Sequence, residues 1–513
     1  MVRTRRIAAL GAVVALAAAC GTTANKNAAG HSGSSGGSTG GTLNASGGQS
    51  TTTSGAGGAL SSTGGAAGTG GSSSGGGGTS GSGSGGSGTG TGGGGAPTGG
   101  GSAPTSKFVS AAAPGVTNQT VYIGLTYSSN EGAADKAIGV AGAAPSYDMR
   151  NVWNATIAYA NSHGGFAGRK LSPIYYDISV TGDVSTQEQA ACANFTQDHK
   201  VFAIGVQDDI MEACAQNAGA IALGSGGATE ATFQKYPHMV DPDGIAVDRL
   251  GSLTVNGLYK AGYFSGKLGL ITWDNPSYRA AVTNGYLPAL ASHHITPAQI
   301  AYISVPQQVG AVADMSAAVG SAVTKFKSLG IDHVIIQDGA AGVWAGDGLT
   351  LEFMDQAKSQ AYYPRYGQNG DNNPGTSLNP SDEQNNALAI SQVDYDPSYD
   401  AGWHQNPART ACFQLQGAAG YPVSSSNVND EVTASTTCDL IFFLQRVVNG
   451  LSAITADGFA AQAQTLGTSY PTAVVYGTKF MSGRRDGADE VRTEQYSSAC
   501  SCLKFQGGPY YPD

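Results

Sequence analysis

Cys192, Cys214, Cys412, Cys438, Cys500 and Cys502 carry the plainest chemistry in this 513-residue chain, because six cysteines apart from Cys20 fit three disulfide bridges. Several pairings satisfy an even count; the expectation is that neighbours in sequence join, Cys192 with Cys214, Cys412 with Cys438 and Cys500 with Cys502. A metal reading needs a second pair or histidines at ligand spacing. Only Cys500-Ser501-Cys502 is compact and no histidine lies near it, so no metal is expected, and a Cys-x-Cys redox pair is the other alternative. A serine hydrolase on an α/β sheet needs Gly-x-Ser-x-Gly at a strand-to-helix turn, a spacing that Gly224-Ser225-Gly226-Gly227 lacks. His293-His294 has no acid at ligand spacing, and the N-terminal glycine runs lack the Lys-Ser/Thr ending of a phosphate loop. Catalytic residues and cofactors are therefore not expected.

The elements that position these residues alternate short β-branched runs with helical stretches, the pattern of a parallel sheet with crossover helices. Gln119–Leu125 reads as a first strand. Met149, Val152, Trp153, Thr156, Ile157 and Ala160 recur at i, i+3, i+4 spacing, which predicts a helix over 148–162 that stops at Gly164-Gly165. Strands follow at Lys170–Tyr176, Val201–Gly205, Ala220–Leu223, Lys267–Thr272, Ala301–Val305 and His333–Ile336, with helices at Thr186–Asp198 and Ile210–Ala218 between. The fold class is α/β, doubly wound, in two lobes.

Ahead of this body lies a different composition. Arg3, Arg5 and Arg6 precede the apolar run Ile7–Ala19, which is too short to span a bilayer and reads as a secretory signal over residues 1–19. It ends in Leu16-Ala17-Ala18-Ala19-Cys20, which resembles the site at which bacterial prolipoproteins are acylated on the cysteine, with Leu one place early. Residues 20–106 are the lipidated cysteine and a Gly/Ser/Thr/Ala tether holding 34 of the 77 glycines, a composition that cannot bury enough surface to order itself. A coil of that length reaches roughly 50 Å. No later stretch approaches the apolar length of a membrane span, so the lipid on Cys20 is the expected membrane contact.

Charge excludes one class of partner. Without the signal and tether the chain carries 22 basic against 36 acidic residues. Binding to phosphate backbones rests on clustered Lys and Arg, so no nucleic acid is expected.

The residues also resemble a family. Asn154-Ala155-Thr156-Ile157-Ala158-Tyr159-Ala160-Asn161-Ser162-His163-Gly164-Gly165-Phe166-Ala167-Gly168-Arg169-Lys170-Leu171, with Tyr175-Tyr176-Asp177 after it, looks like a stretch of the type I periplasmic binding proteins. These are the extracellular solute receptors of ABC importers, above all those for branched-chain amino acids. Asp198–Gly205, Gly224–Thr229 and Trp273–Tyr278 echo the family in the same order. The resemblance implies two lobes joined by three crossovers, near Asp241–Ile245, Ala387–Gln392 and Ala473–Met481, that close on solute like a hinge. The first lobe is expected at 107–243 and 389–475, the second at 244–388 and 476–513.

Carried over residue by residue, the resemblance places the solute carboxylate at Gly227 and Thr229, with Asp208 at the preceding strand end. It places an aromatic contact at Tyr278, and Asn369, with Asp371 two residues on, where amino-acid binders hold an acid for the ligand ammonium. A desolvated ammonium needs a carboxylate partner, so if Asn369 is in the site and Asp371 is not, a free amino acid is a poor fit. Asp208, Asp209, Asp274 and Asp338, all near predicted strand ends, point to a polar or cationic solute. Trp344, Tyr363 and Tyr366 are either stacking groups or core. The implied role is a monomeric lipoprotein that delivers a small polar solute, an amino acid, an amide or a related compound, to an ABC permease. A ligand-sensing receptor on the same module and a secreted hydrolase are the alternatives.

Overall fold

Val121, Ile123 and Leu125 point one way from Thr120–Tyr127 (β2) and are buried, the alternation of a strand covered by helices. The computed structural model describes residues 110–111, 113–130, 148–179, 182–205, 209–224, 227–305, 311–339, 348–370, 381–384, 387–393, 407–424, 428–499 and 502–506. The signal, Cys20 and the tether lie outside these residues, as do Asp208, Trp344, Asp371 and Cys500.

Met149–Ser162 (α1) forms where the apolar periodicity predicts it. Asp148 caps its start by accepting from Arg150 N, and Met149, Val152, Trp153, Thr156, Ile157 and Ala160 are its buried stripe. It stops because Gly164 (φ +100°) and Gly165 (φ +62°) take up left-handed backbone. Each fully buried Ile, Val or Leu stabilises by about 1.5–3 kcal/mol relative to exposure.

In the first sheet β2 pairs in parallel with Lys170–Asp177 (β3) and with Ala203–Gly205 (β4). Ile221–Leu223 (β5) and Met239–Val240 (β6) extend it in the order β3-β2-β4-β5-β6. Val184–Ala193 (α2), continued by a π-helical turn Asn194–Asp198, and Asp209–Ala218 (α3) lie side by side on one face. Cys192–Cys214 joins them with Cα atoms 5.8 Å apart, as the sequence spacing anticipated. The other face holds α1 and the 22-residue helix Val428–Asn449 (α12). A short pair, Ser110–Ala111 with Ala453–Ile454, forms a separate parallel ladder.

The second sheet runs Cys502–Phe505, Arg492–Ser497, Leu388–Ser391 (β11), Arg365–Asn369 (β10), His333–Gln337 (β9), Leu268–Trp273 (β7), Gln299–Ile303 (β8) in spatial order. It is parallel from β8 to β11, with the last two strands of the chain antiparallel at one edge. Val247–Lys260 (α5) lies against it so closely that a Cβ on Gly257 would fall 2.4 Å from Ile390 Cδ1.

Three passages join the sheets. Asp241–Ala246 leads from β6 into α5. Gln392 and Val393 leave β11 towards Pro407–Ala418 (α11), and the segment after Ala456–Ala463 (α13) returns to the strand Arg492–Ser497. Val393 and Val475 bridge antiparallel, so the second and third passages pair with each other. A bridge between Asp241 and Asp486 ties the first to the third. Cys412–Cys438 links α11 to α12 with Cα atoms 6.0 Å apart, the second expected pairing. The proposed Cys500–Cys502 pair lies outside the described residues.

Candidate functional site

In a doubly wound sheet the groups available to a ligand gather beyond the carboxyl ends of the strands. At that edge of the first sheet Ser129 donates through its N–H and Oγ to Asp177 (3.0 and 2.5 Å), and Asn130 Nδ2 donates to Ser179 Oγ at 2.8 Å. Past β5, Gly224 and Gly227 have φ of +97° and +85°, turns that glycine alone makes without strain. They deliver Thr229 to the start of the helix Glu230–Lys235, where its Oγ1 accepts from Thr232 N at 3.1 Å and Thr232 Oγ1 accepts from Thr229 N at 3.3 Å. Thr229 is buried, and its hydroxyl serves this reciprocal cap.

Three strands of the second sheet end in a connected cluster. Asp338, fully buried after β9, accepts from Trp273 Nε1 (2.8 Å), Gly339 N (3.0 Å), Thr350 N (2.8 Å) and Thr350 Oγ1 (3.1 Å). Burial pushes its carboxyl up to about 7, while the Thr350, Trp273 and Gly339 donors pull it down. Asn369, at the end of β10, donates through Nδ2 to Asp338 O at 3.0 Å, so its amide holds two strands together. Beside it Thr272 and Gln337 lie directly opposite one another in register. Among the described residues Thr272 Oγ1, Gln337 Oε1 and both amide atoms of Gln368 are buried with no hydrogen-bond partner.

Other positions singled out in the sequence fall away from this edge or into the core. Tyr278, 1% exposed, has its ring in the main core of the second sheet, and its N–H is accepted by the N-cap Asn275 Oδ1 at 2.9 Å. Tyr366 is core too, its hydroxyl donating to Glu383, whereas Tyr363 is exposed. Asp274 is bound by Arg279, which holds its carboxyl below the usual range and stacks over the Tyr302 ring at 4.1 Å. Asp208, Asp371 and the side chain of Asp209 lie outside the described residues. The sequence reading missed the Trp273–Asp338–Thr350 cluster. Its one local signal was Asp338 directly after the strand His333–Gln337, whose central residues Val334, Ile335 and Ile336 are apolar.

Every described histidine, His163, His199, His238, His293, His294 and His333, precedes or opens a strand, which puts imidazole at the opposite edge from these polar groups. Among the described residues no three His, Cys, Asp or Glu side chains are placed to hold a metal ion. The lobes also touch: Ile178 and Val184, which follow β3, are buried in the same apolar cluster as the core of the second sheet.

Solved structures share this architecture. A possible leucine/isoleucine/valine-binding protein from Rhodopirellula baltica aligns with a TM-score of 0.54 at 14% identity, over 76% of this chain and 96% of its own. An ABC transporter substrate-binding protein from Desulfitobacterium hafniense in complex with Leu aligns at 0.52 and 15%, over 76% and 100%. A solute-binding protein from R. palustris in complex with 4-hydroxybenzoate aligns at 0.57 and 15%, over 77% and 98%. The fold is that of the type I periplasmic binding proteins. The shared fold accounts for the two doubly wound sheets and the three passages between them. No protein-family model matches the sequence, and no curated protein matches it. Among the described residues no helix is long and apolar enough to cross a membrane.

Proposed function

We propose that this chain is the extracytoplasmic solute receptor of an ABC importer, held to the outer face of the membrane by a lipid on Cys20. It captures a small polar solute between its lobes and hands it to a permease. One observation carries the reading: two doubly wound sheets are linked by three passages, and at the carboxyl edge of the second Thr272 and Gln337 hold buried polar atoms without a partner among the described residues. Buried polar atoms without a partner cost about 1–3 kcal/mol each. A solute that pairs with Gln337 and Thr272, which share one face of the sheet, recovers that cost.

Neighbours of the same fold take leucine and 4-hydroxybenzoate, and another is named a fatty acid transporter's binding protein. Their spread supports a solute chosen by side chains rather than by fold. In this reading Gly227 and Thr229 meet the solute from the first lobe, through the backbone at the head of the loop. Asn369 stands at the carboxyl edge of the second sheet, and Tyr278 backs that edge from within the core. Asn369, occupied by Asp338, leaves the ammonium of a free amino acid without a partner there, which favours an amide or a carboxylate lacking an amino group.

The test is a thermal-shift screen of the whole chain carrying Cys20→Ser against amino acids, amides, polyamines, sugars and aromatic acids. A solute at 100 times its Kd stabilises by about 2.7 kcal/mol. Stabilisation without turnover is the expected result; product formation in the same wells would sink the reading.

A further inference from the structure

Arg409 on α11 and Asp439 on α12 are both buried, and both grip the same two residues of the third passage. Asp439 accepts from Ala473 N through Oδ1 (2.6 Å) and Oδ2 (2.9 Å), and from Val474 N through Oδ2 (3.0 Å). Arg409 donates through Nε to Ala473 O (2.8 Å) and through Nη2 to Val474 O (3.5 Å). Two successive peptide units are thereby held on both their N–H and C=O sides by opposite charges, the strong form of hydrogen bond. Tyr470 completes the grip by donating its hydroxyl to Asp439 O at 2.8 Å.

The grip crosses the boundary between lobes. Leu440, Ile441, Phe443, Leu444, Val447 and Val448, which follow Asp439 on α12, are buried in the core of the first sheet. Val474 and Val475 are buried with the core of the second, and Val475 pairs with Val393 of the neighbouring passage. A first-lobe helix therefore sets the path of a segment whose side chains belong to the second lobe. The two gripping residues are kept in register by a covalent link. Cys438 immediately precedes Asp439, Cys412 lies one turn from Arg409, and the Cys412–Cys438 bridge joins them. α11 is seated on α1 by Gln416, whose Nε2 donates to Thr156 Oγ1 at 2.7 Å.

We propose that Arg409 and Asp439, fastened by Cys412–Cys438, are the positioning pair of the interlobe hinge: they fix the course of Ala473–Val474 and so set how the lobes close. The proposal rests on the solute-capture reading for its purpose but not for its test. Cys192–Cys214, which joins two helices of one lobe, has no such role and serves as the control.

The experiment compares the full chain with Asp439→Asn, Arg409→Lys, Cys412→Ala/Cys438→Ala and Cys192→Ala/Cys214→Ala, all without solute. Amide hydrogen exchange is read at Ala473 and Val474 against Ile204 and Ile335 in the centres of the two sheets. Interlobe distance is read by spin labels on the exposed positions Tyr159 and Tyr259. The first three variants are expected to exchange at Ala473 and Val474 at least about tenfold faster with Ile204 and Ile335 unchanged, and to broaden the distance distribution. Arg409→Lys, which keeps one charged donor, should have the mildest effect. Wild-type exchange and distances in Asp439→Asn and in the Cys412/Cys438 pair, or an equal effect from the Cys192/Cys214 pair, would overturn the proposal. Should Asp439→Asn fail to fold, the Cys412/Cys438 pair decides alone. Failure of the solute reading would show separately, as a wild type that no compound in the screen stabilises.

Discussion

Trp273 Nε1 donates to Asp338 Oδ1 at 2.8 Å across 65 residues of chain, closing the carboxyl edge of two adjacent strands with a buried carboxyl group. Burial disfavours the charged form, so the Asp338 carboxyl is pushed up to about 7. A carboxyl raised in the folded state stabilises fully below its unfolded value, near 3.8, and loses that contribution as pH rises through about 7. Unfolding of wild type and Asp338→Asn across pH 4 to 8 should therefore differ in slope, wild type losing up to a few kcal/mol that the variant does not. Parallel pH profiles would refute the assignment.

Tyr278 was expected on the cleft and sits in the core, so its truncation should cost folding. Tyr278→Ala is expected to destabilise by about 3–5 kcal/mol, as for other large buried rings. An unfolding free energy from urea titration within about 0.5 kcal/mol of wild type would contradict the burial.

Thr229→Ala removes a capping hydroxyl and should lower stability by about 1 kcal/mol, whereas Thr229→Ser should retain it. If Thr229 also touches solute, the alanine variant weakens binding beyond that loss. Titration calorimetry with the screened solute, read beside the unfolding midpoint, separates the two effects.

The Cys192–Cys214 bridge closes a separation of 22 residues. Its removal is expected to cost about 3 kcal/mol on the chain-entropy account. Peptide mapping without reductant should recover Cys192 with Cys214 and Cys412 with Cys438; any other pairing would overturn the register of these helices.

Wild type is expected in the membrane fraction, and Cys20→Ser released or unprocessed, on fractionation of expressing cells. Equal partitioning of both forms with normal processing would exclude acylation at Cys20.

Several elements were legible from local pattern alone. The stripe Met149 to Ala160 is periodic because one helix face must be apolar to be buried, and Gly164-Gly165 ends it because only glycine takes those dihedrals cheaply. The strands Lys170–Asp177 and His333–Gln337 were readable for the same reason, a short β-branched or aromatic run between turn signals. The neighbour pairing of Cys192 with Cys214 followed from two consecutive helices on one sheet face. The site was less legible. Thr229 and Tyr278 were read as following strands and Asn369 was reached only by resemblance, yet nothing local says that one caps a helix, one is sunk in the core and one is spent on Asp338.

By itself the sequence determined the Gly/Ser/Thr-rich composition of residues 21–106, the alternation of strand and helix, and the six cysteines beyond Cys20, because each is read from composition or from neighbours within a few residues. Only the tertiary structure decided that Leu388–Ser391 is a strand of the second sheet, that Val393 meets Val475, and that Arg409 and Asp439 converge on Ala473 and Val474. Those contacts join residues tens of positions apart. Their energies come from desolvation and hydrogen bonding in a shared interior, and no local period in the chain encodes which partners meet there.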